Sequence, residues 1–174
     1  MKPTNIIVHH VARNHSFYQV NAYHKKLWHF KSKLGWYIGY QWFIDNSGKL
    51  YQGRREDEEG AHKIGWNKKS VGVCLRGNLE STKPTKQQLK TLEKLLNNIR
   101  MRWDIPRENV YGHRELSKTL CPGKYLMPFI KKYREKPIKE TTKGRLAAQL
   151  ETVRKMLLEL KQKLYEYITK SRKR

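Results

Sequence analysis

Acidic residues are scarce in this chain: 15 Asp and Glu stand against 38 Lys and Arg, which leaves 174 residues with a formal charge of +23. A surplus of that size implies a polyanionic partner or surface, the plain alternative being a solubility habit. Cysteine is scarcer still. Cys74 and Cys121 cannot make a disulfide framework, and they fit a compartment that keeps thiols reduced. Long apolar runs are missing too. No stretch approaches the ~20 apolar residues that span a bilayer, and the opening Met-Lys-Pro-Thr-Asn lacks the apolar region of a secretory signal. The expected location is therefore cytoplasmic. The length suits one domain with a real core plus an appendage, and a second full domain would be cramped.

Residues 5–8 are a short β-branched run ending at His9 and His10, which reads as a buried strand. Ser16 can cap a helix carrying the stripe Val20, Tyr23, His24 and Leu27. Segments 39–43 and 49–52 flank Asp45-Asn46-Ser47-Gly48 and predict a hairpin, and another strand is expected over 70–75. Thr85 and Gln88 have the spacing of a capping box, after which Leu89, Leu92, Leu95, Leu96, Ile99 and Trp103 mark one face of a long helix. Asp104-Ile105-Pro106 stops it, and a short strand through Val110 and Tyr111 follows. Strands alternating with helices predict an α/β fold.

Past Pro137 the texture changes. Residues 137–145 read as a linker, and the segment 146–174 as a separate helix in which Leu146, Leu150, Val153, Leu157, Leu160, Leu164 and Tyr167 recur at heptad a/d spacing. From residue 139 onward there are 11 basic and 4 acidic residues, so the tail holds +7 of the charge and the body +16. Three readings of this helix stay open: a seam for homodimerisation, a helix folded back on the domain, or a basic amphipathic helix for anionic membranes.

The strongest chemical signal is Gly112-His113-Arg114 through Cys121-Pro122-Gly123, paired with the distant Ile6-Ile7-Val8-His9-His10. His113, Cys121 and one of His9 or His10 make a two-imidazole, one-thiolate set that suits zinc better than the oxygen-seeking calcium or magnesium. Three protein ligands leave a fourth position, where a water can have its pKa lowered to about 7. A structural site would want a fourth ligand. Cys74 is the obvious candidate, but it sits in the apolar run Ser70-Val-Gly-Val-Cys-Leu and is better read as a buried small hydrophobe.

At these residues the chain resembles the zinc-dependent N-acetylmuramoyl-L-alanine amidases, a family that includes phage lysozyme-type amidases and animal peptidoglycan recognition proteins. Five blocks agree in order across about residues 5 to 130. They are Ile-Val-His-His-Val-Ala, Gly39-Tyr40 before Trp42-Phe43-Ile44, Gly60-Ala61-His62 with Gly65 and Asn67, Ser70-Val-Gly-Val, and Gly112 through Gly123.

The resemblance implies a central mixed β-sheet flanked by helices over residues 1–136, with zinc at a peptidoglycan-binding groove. It makes His9 the first ligand, beside His113 and Cys121, and leaves His10 to the core or the ligand's surroundings. It places Tyr40 near the zinc water, as a residue that orients the water or stabilises the oxyanion. Thr119 stands where phage members have lysine and animal members often have threonine, with Lys118 adjacent. His62, Trp66 and Asn67 fall in a block that lines the groove; for His62 a structural role in the following turn weighs equally. His15, His24 and His29 are expected at the surface or groove, and the acidic run Glu56 to Glu59 in solvent.

The expected activity is hydrolysis of the amide between the lactyl group of N-acetylmuramic acid and L-alanine. The expected role is that of a phage or prophage endolysin held inside the cell until lysis. A cytoplasmic muropeptide-recycling amidase and a non-catalytic peptidoglycan-binding module are the alternatives. No nucleic-acid motif accompanies the charge, so anionic envelope polymers or membrane are the expected partners of the basic tail.

Overall fold

The computed structural model describes residues 1–135, 150, 153–157 and 159–161. It has strands β1 (Asn5–His10), β2 (Trp42–Ile44), β3 (Leu50–Gln52), β4 (Ser70–Leu75) and β5 (Val110–Gly112), with helices α1 (Phe17–Trp28), α2 (Lys86–Trp103) and α3 (Met127–Glu135). One mixed sheet runs in the order β3-β2-β4-β1-β5, and only the β2–β3 hairpin is antiparallel. β1 and β4 hold its centre, and every residue of both is buried, which is why they read as continuous apolar runs rather than as an alternating pattern.

Alternation along the strands assigns the two faces. Ile6, Val8, Val71, Val73 and Leu75 join α2 and α3 through Leu92, Leu96, Ile99, Ile130 and Tyr133. Phe43 and Cys74 point the other way, into a smaller cluster with Phe17 and Val20 of α1 and with Ile38. Full burial of each α2 leucine or isoleucine contributes roughly 1.5–3 kcal/mol, so this helix anchors its side of the sheet.

Both helix starts follow from their caps. Ser16 Oγ accepts the Gln19 N–H and Gln19 Oε1 accepts the Ser16 N–H; Thr85 and Gln88 make the same reciprocal pair. Helix α2 ends at Asp104, whose left-handed backbone turns the chain toward β5. Three features depart from the sequence expectations. Helix α3 was not anticipated: its buried Met127, Ile130 and Tyr133 recur every three residues, but its nine residues make a stripe of only three. On α1 the predicted stripe is half right: Val20 and His24 are buried, whereas Tyr23 and Leu27 are exposed, and Phe17 completes the buried face.

The third departure is the acidic run. Glu56 is buried, accepting the indole N–H of Trp42 at 2.8 Å and of Trp103 at 2.5 Å, and pairing with Arg102 at 2.7 Å. A carboxylate is retained there because three donors from β2 and α2 converge on it. Glu58 lies against the fully buried Arg54 at 3.4 Å.

The chain divides into two units, Met1–Lys136 and Pro137–Arg174. In the second, residues 150, 153–157 and 159–161 are helical, and Leu150, Val153, Met156, Leu157 and Leu160 are exposed. The predicted linker 137–145 and the heptad positions Leu146, Leu164 and Tyr167 lie outside the described residues. No helix among the described residues is long and apolar enough to cross a membrane.

Candidate active site and metal centre

The C-terminal end of β1 delivers the two histidines to opposite faces of the sheet. His10 turns toward the α2 side, where its Nδ1 accepts the Leu79 N–H at 2.9 Å. His9 turns toward the α1 side and meets His113 and Cys121. The ligand atoms of these three all lie within 4.8 Å of one another, and His9 Nδ1 faces Cys121 Sγ at 3.7 Å.

Local structure explains how the distant loop arrives there. β5 ends at Gly112, and His113 opens a short 3-10 turn whose Glu115 carboxylate accepts the Gly112 N–H at 2.7 Å. The loop then folds back, with the Arg114 N–H donating to the Cys121 carbonyl at 2.7 Å. Glu80 holds its outside, accepting from Arg114 at 2.9 Å and from the Lys124 N–H at 2.8 Å. Cys121 Sγ in turn accepts the His10 N–H at 3.4 Å, tying the thiol to the end of β1.

Burial keeps the donors of this cluster uncharged. Burial lowers the pKa of His9 well below its ordinary value, helped by His62 and His113, and lowers that of His113, helped by Lys63. Both imidazoles are therefore neutral and carry lone pairs at neutral pH. Burial pushes the Cys121 thiol up to about 12, so the sulfur becomes a strong ligand only when a metal displaces its proton. Soft donors in a shielded cluster fit zinc, and the neutral histidines leave it no competing charge to expel.

Tyr40 stands beside this cluster, its ring 5.1 Å from that of His9. Burial and the neighbouring thiols of Cys74 and Cys121 push its pKa well above the ordinary value, so the phenol stays a hydrogen-bond donor. The segment carrying it, just before β2, is clamped on both sides. Gly39 N–H donates to His24 Nδ1 at 2.9 Å, Ala61 N–H to the Gly39 carbonyl at 2.9 Å, and Arg54 Nε to the Ile38 carbonyl at 2.7 Å. His24, expected at the surface or groove, is instead a buried acceptor for this segment.

A groove of about 460 Å³ opens beside the cluster, lined by Tyr40, His62, Asn67 and His113 together with Trp28, Lys63, Ile64 and Ser117. Asn67 Oδ1 accepts the backbone N–H of His62 and of Lys63, so it shapes the groove wall from within. Trp66 lies outside the lining; its ring meets Tyr111 edge-on and carries the Lys69 ammonium. Thr119 Oγ1 accepts the Cys121 N–H at 3.2 Å, which leaves its hydroxyl proton free to donate. Lys118 is exposed. Sequence reasoning missed Trp28 and Lys63, the latter the only Lys or Arg of the lining among the described residues; its place next to His62 was the available signal.

Residues 1–124 match the family described as N-acetylmuramoyl-L-alanine amidase. The chain belongs to that family. Its curated relatives include peptidoglycan-recognition protein SC2 of Drosophila melanogaster, 33% identical over 128 residues that make up 67% of this chain and 66% of the relative. The amidase fold is shared with the endolysine N-acetylmuramoyl-L-alanine amidase LysCS from Clostridium intestinale URNW, with a TM-score of 0.67, 27% identity, and coverage of 78% of this chain and 86% of that one. Wild-type Drosophila PGRP-LB matches with a TM-score of 0.66 and 28% identity over 81% of this chain and 88% of its own. The five-stranded mixed sheet and its flanking helices are those of the amidase family, and His9, His113 and Cys121 gather at one point of that fold.

Proposed function

We propose that this chain is a zinc-dependent amidase that hydrolyses the bond between the lactyl group of N-acetylmuramic acid and L-alanine in peptidoglycan. The observation that carries the reading is the joint presence of two neutral imidazoles, a thiol and a protonated phenol, of which His113 and Tyr40 line the groove. Binding without catalysis would not need the three-ligand set.

His9, His113 and Cys121 would hold the zinc, which supplies Lewis acidity to polarise the scissile carbonyl and to activate water at neutral pH. Tyr40 donates its phenolic proton in a hydrogen bond to the carbonyl oxygen as negative charge develops there. Thr119, whose oxygen is already engaged by the Cys121 N–H, offers its hydroxyl proton to the same charge. Lys63 adds a positive wall that favours the carboxylates of a stem peptide, while Trp28 and Ile64 supply apolar contact.

The role we assign is that of a phage or prophage lysin, confined to the cytoplasm until the membrane is breached. Its similarity to an endolysine amidase supports this, as does the basic tail, since an enzyme recycling soluble fragments has little need to grip an anionic envelope. The decisive experiment digests purified peptidoglycan and reads the products by mass spectrometry, with and without exhaustive chelation and zinc return. Stem peptides with a free L-alanine amine should appear, vanish on chelation, and be absent from a Cys121→Ala variant. Undiminished release after chelation would overturn the metal mechanism, and retention of peptidoglycan without any release would make the chain a binding module.

A further inference from the structure

His62 faces His9, one of the three residues placed to hold a metal. Its Nδ1 lies 3.1 Å from His9 Nε2, and the two rings meet edge-on with centroids 5.1 Å apart. Two ring nitrogens in contact need one proton between them, so their tautomers are coupled. His9 presents its other nitrogen, Nδ1, to Cys121 Sγ. If that nitrogen gives its lone pair to a metal, the His9 proton must sit on Nε2. His62 Nδ1 must then be an acceptor, and the His62 proton must sit on its own Nε2. That atom is buried and has no hydrogen-bond partner among the described residues.

The slot that holds His62 is built for the ring. A Cβ on Gly60 would stand 2.5 Å from His62 Cδ2, and one on Gly72 would stand 2.6 Å from the same atom. Any side chain at either position would push the imidazole out, so the glycine of the β4 strand and the glycine before Ala61 are both needed for the fit. The backbone of His62 is fixed as well, through its N–H to Asn67 Oδ1 at 2.9 Å. With one nitrogen on His9 and the other buried, the ring has no polar atom left to offer a ligand in the groove.

We propose that His62 is a positioning residue that fixes the tautomer and orientation of His9, so that His9 Nδ1 is presented to the metal. The inference rests on the zinc reading above and assigns to His62 a task different from substrate contact. A ligand imidazole held by a second hydrogen bond is more basic and already oriented, and loss of such a partner weakens metal affinity by about 10–100-fold.

Two measurements test it. The first compares His62→Asn with His62→Leu, side chains of nearly the same shape, of which only Asn keeps an acceptor near the Nδ1 position. Zinc affinity is read by competition with a chromophoric chelator. Leu should weaken binding by about 10–100-fold, and Asn should restore most of it. Leu binding zinc within twofold of the unmodified protein, with only KM altered, would overturn the proposal in favour of substrate contact. The second uses the unmodified protein and needs no variant to fold. Nitrogen-15 NMR of the zinc-loaded chain should find His9 and His62 both protonated at Nε2. A proton on His9 Nδ1 or on His62 Nδ1 would overturn the proposal. Failure of the unmodified protein to bind zinc at all would instead sink the amidase reading, which keeps the two outcomes distinct.

Discussion

Tyr40 and His9 sit with ring centroids 5.1 Å apart and planes tilted by 47°, so the phenol approaches the ligand cluster from the flank without being part of it. Its role is thereby separable from metal binding. Tyr40→Phe should lower kcat on a muropeptide by about 100-fold, the cost typical of losing one oxyanion donor, while zinc content stays at the unmodified level. Steady-state kinetics alongside metal analysis checks this. Turnover within twofold of the unmodified enzyme would remove Tyr40 from the reaction.

Glu56 predicts a stability effect with no catalytic counterpart. Removing its carboxylate strands two indole N–H groups and the Arg102 partner, so Glu56→Ala should cost about 2–4 kcal/mol in urea unfolding. Glu56→Gln, which keeps an acceptor oxygen, should cost less. Hydrolysis per folded molecule should be unchanged in both.

His24 ties stability to pH. Burial, with a smaller push from Arg54, lowers its pKa to about 4 from an ordinary 6.5. The unfolded chain therefore binds the proton more readily than the folded one. The contribution is present in full above pH 6.5 and is lost as pH falls toward 4, about 3 kcal/mol across the window. His10, also lowered to about 4 chiefly by burial, acts with the same sign. Chemical denaturation between pH 4 and 7.5 should show stability rising with pH, and His24→Gln should show a shallower rise. An equal slope in the variant would mean that His24 does not titrate in this way.

The tail makes a prediction about location rather than chemistry. Removing residues 139–174 takes away 11 basic residues against 4 acidic ones. Lysis of whole envelopes should fall, most strongly at low salt where charge attraction is least screened, while cleavage of soluble muropeptides persists. Equal loss of both activities would count against a targeting tail. Sedimentation of the full chain and of the truncated one decides whether the exposed heptad leucines also pair two copies.

What could be read in the sequence was local. The two helix caps, the hairpin around Asp45 to Gly48 and the buried strands all announce themselves within a few residues, because backbone donors, turn geometry and side-chain period are short-range constraints. The ligand types were also legible, since histidine and cysteine next to small turn residues have few other uses, and the family resemblance already separated His9 from His10, which the strand sends to opposite faces. Tertiary structure decided the rest. A carboxylate run is solvated unless donors from elsewhere converge on it, and only the packing of β2 against α2 brings Trp42, Trp103 and Arg102 to Glu56. His62 is 53 residues from His9, and nothing near it in the chain states that two glycines would clear a slot for its ring. Burial and close approach are sums over many distant neighbours, and the folded chain is the first place where those sums exist.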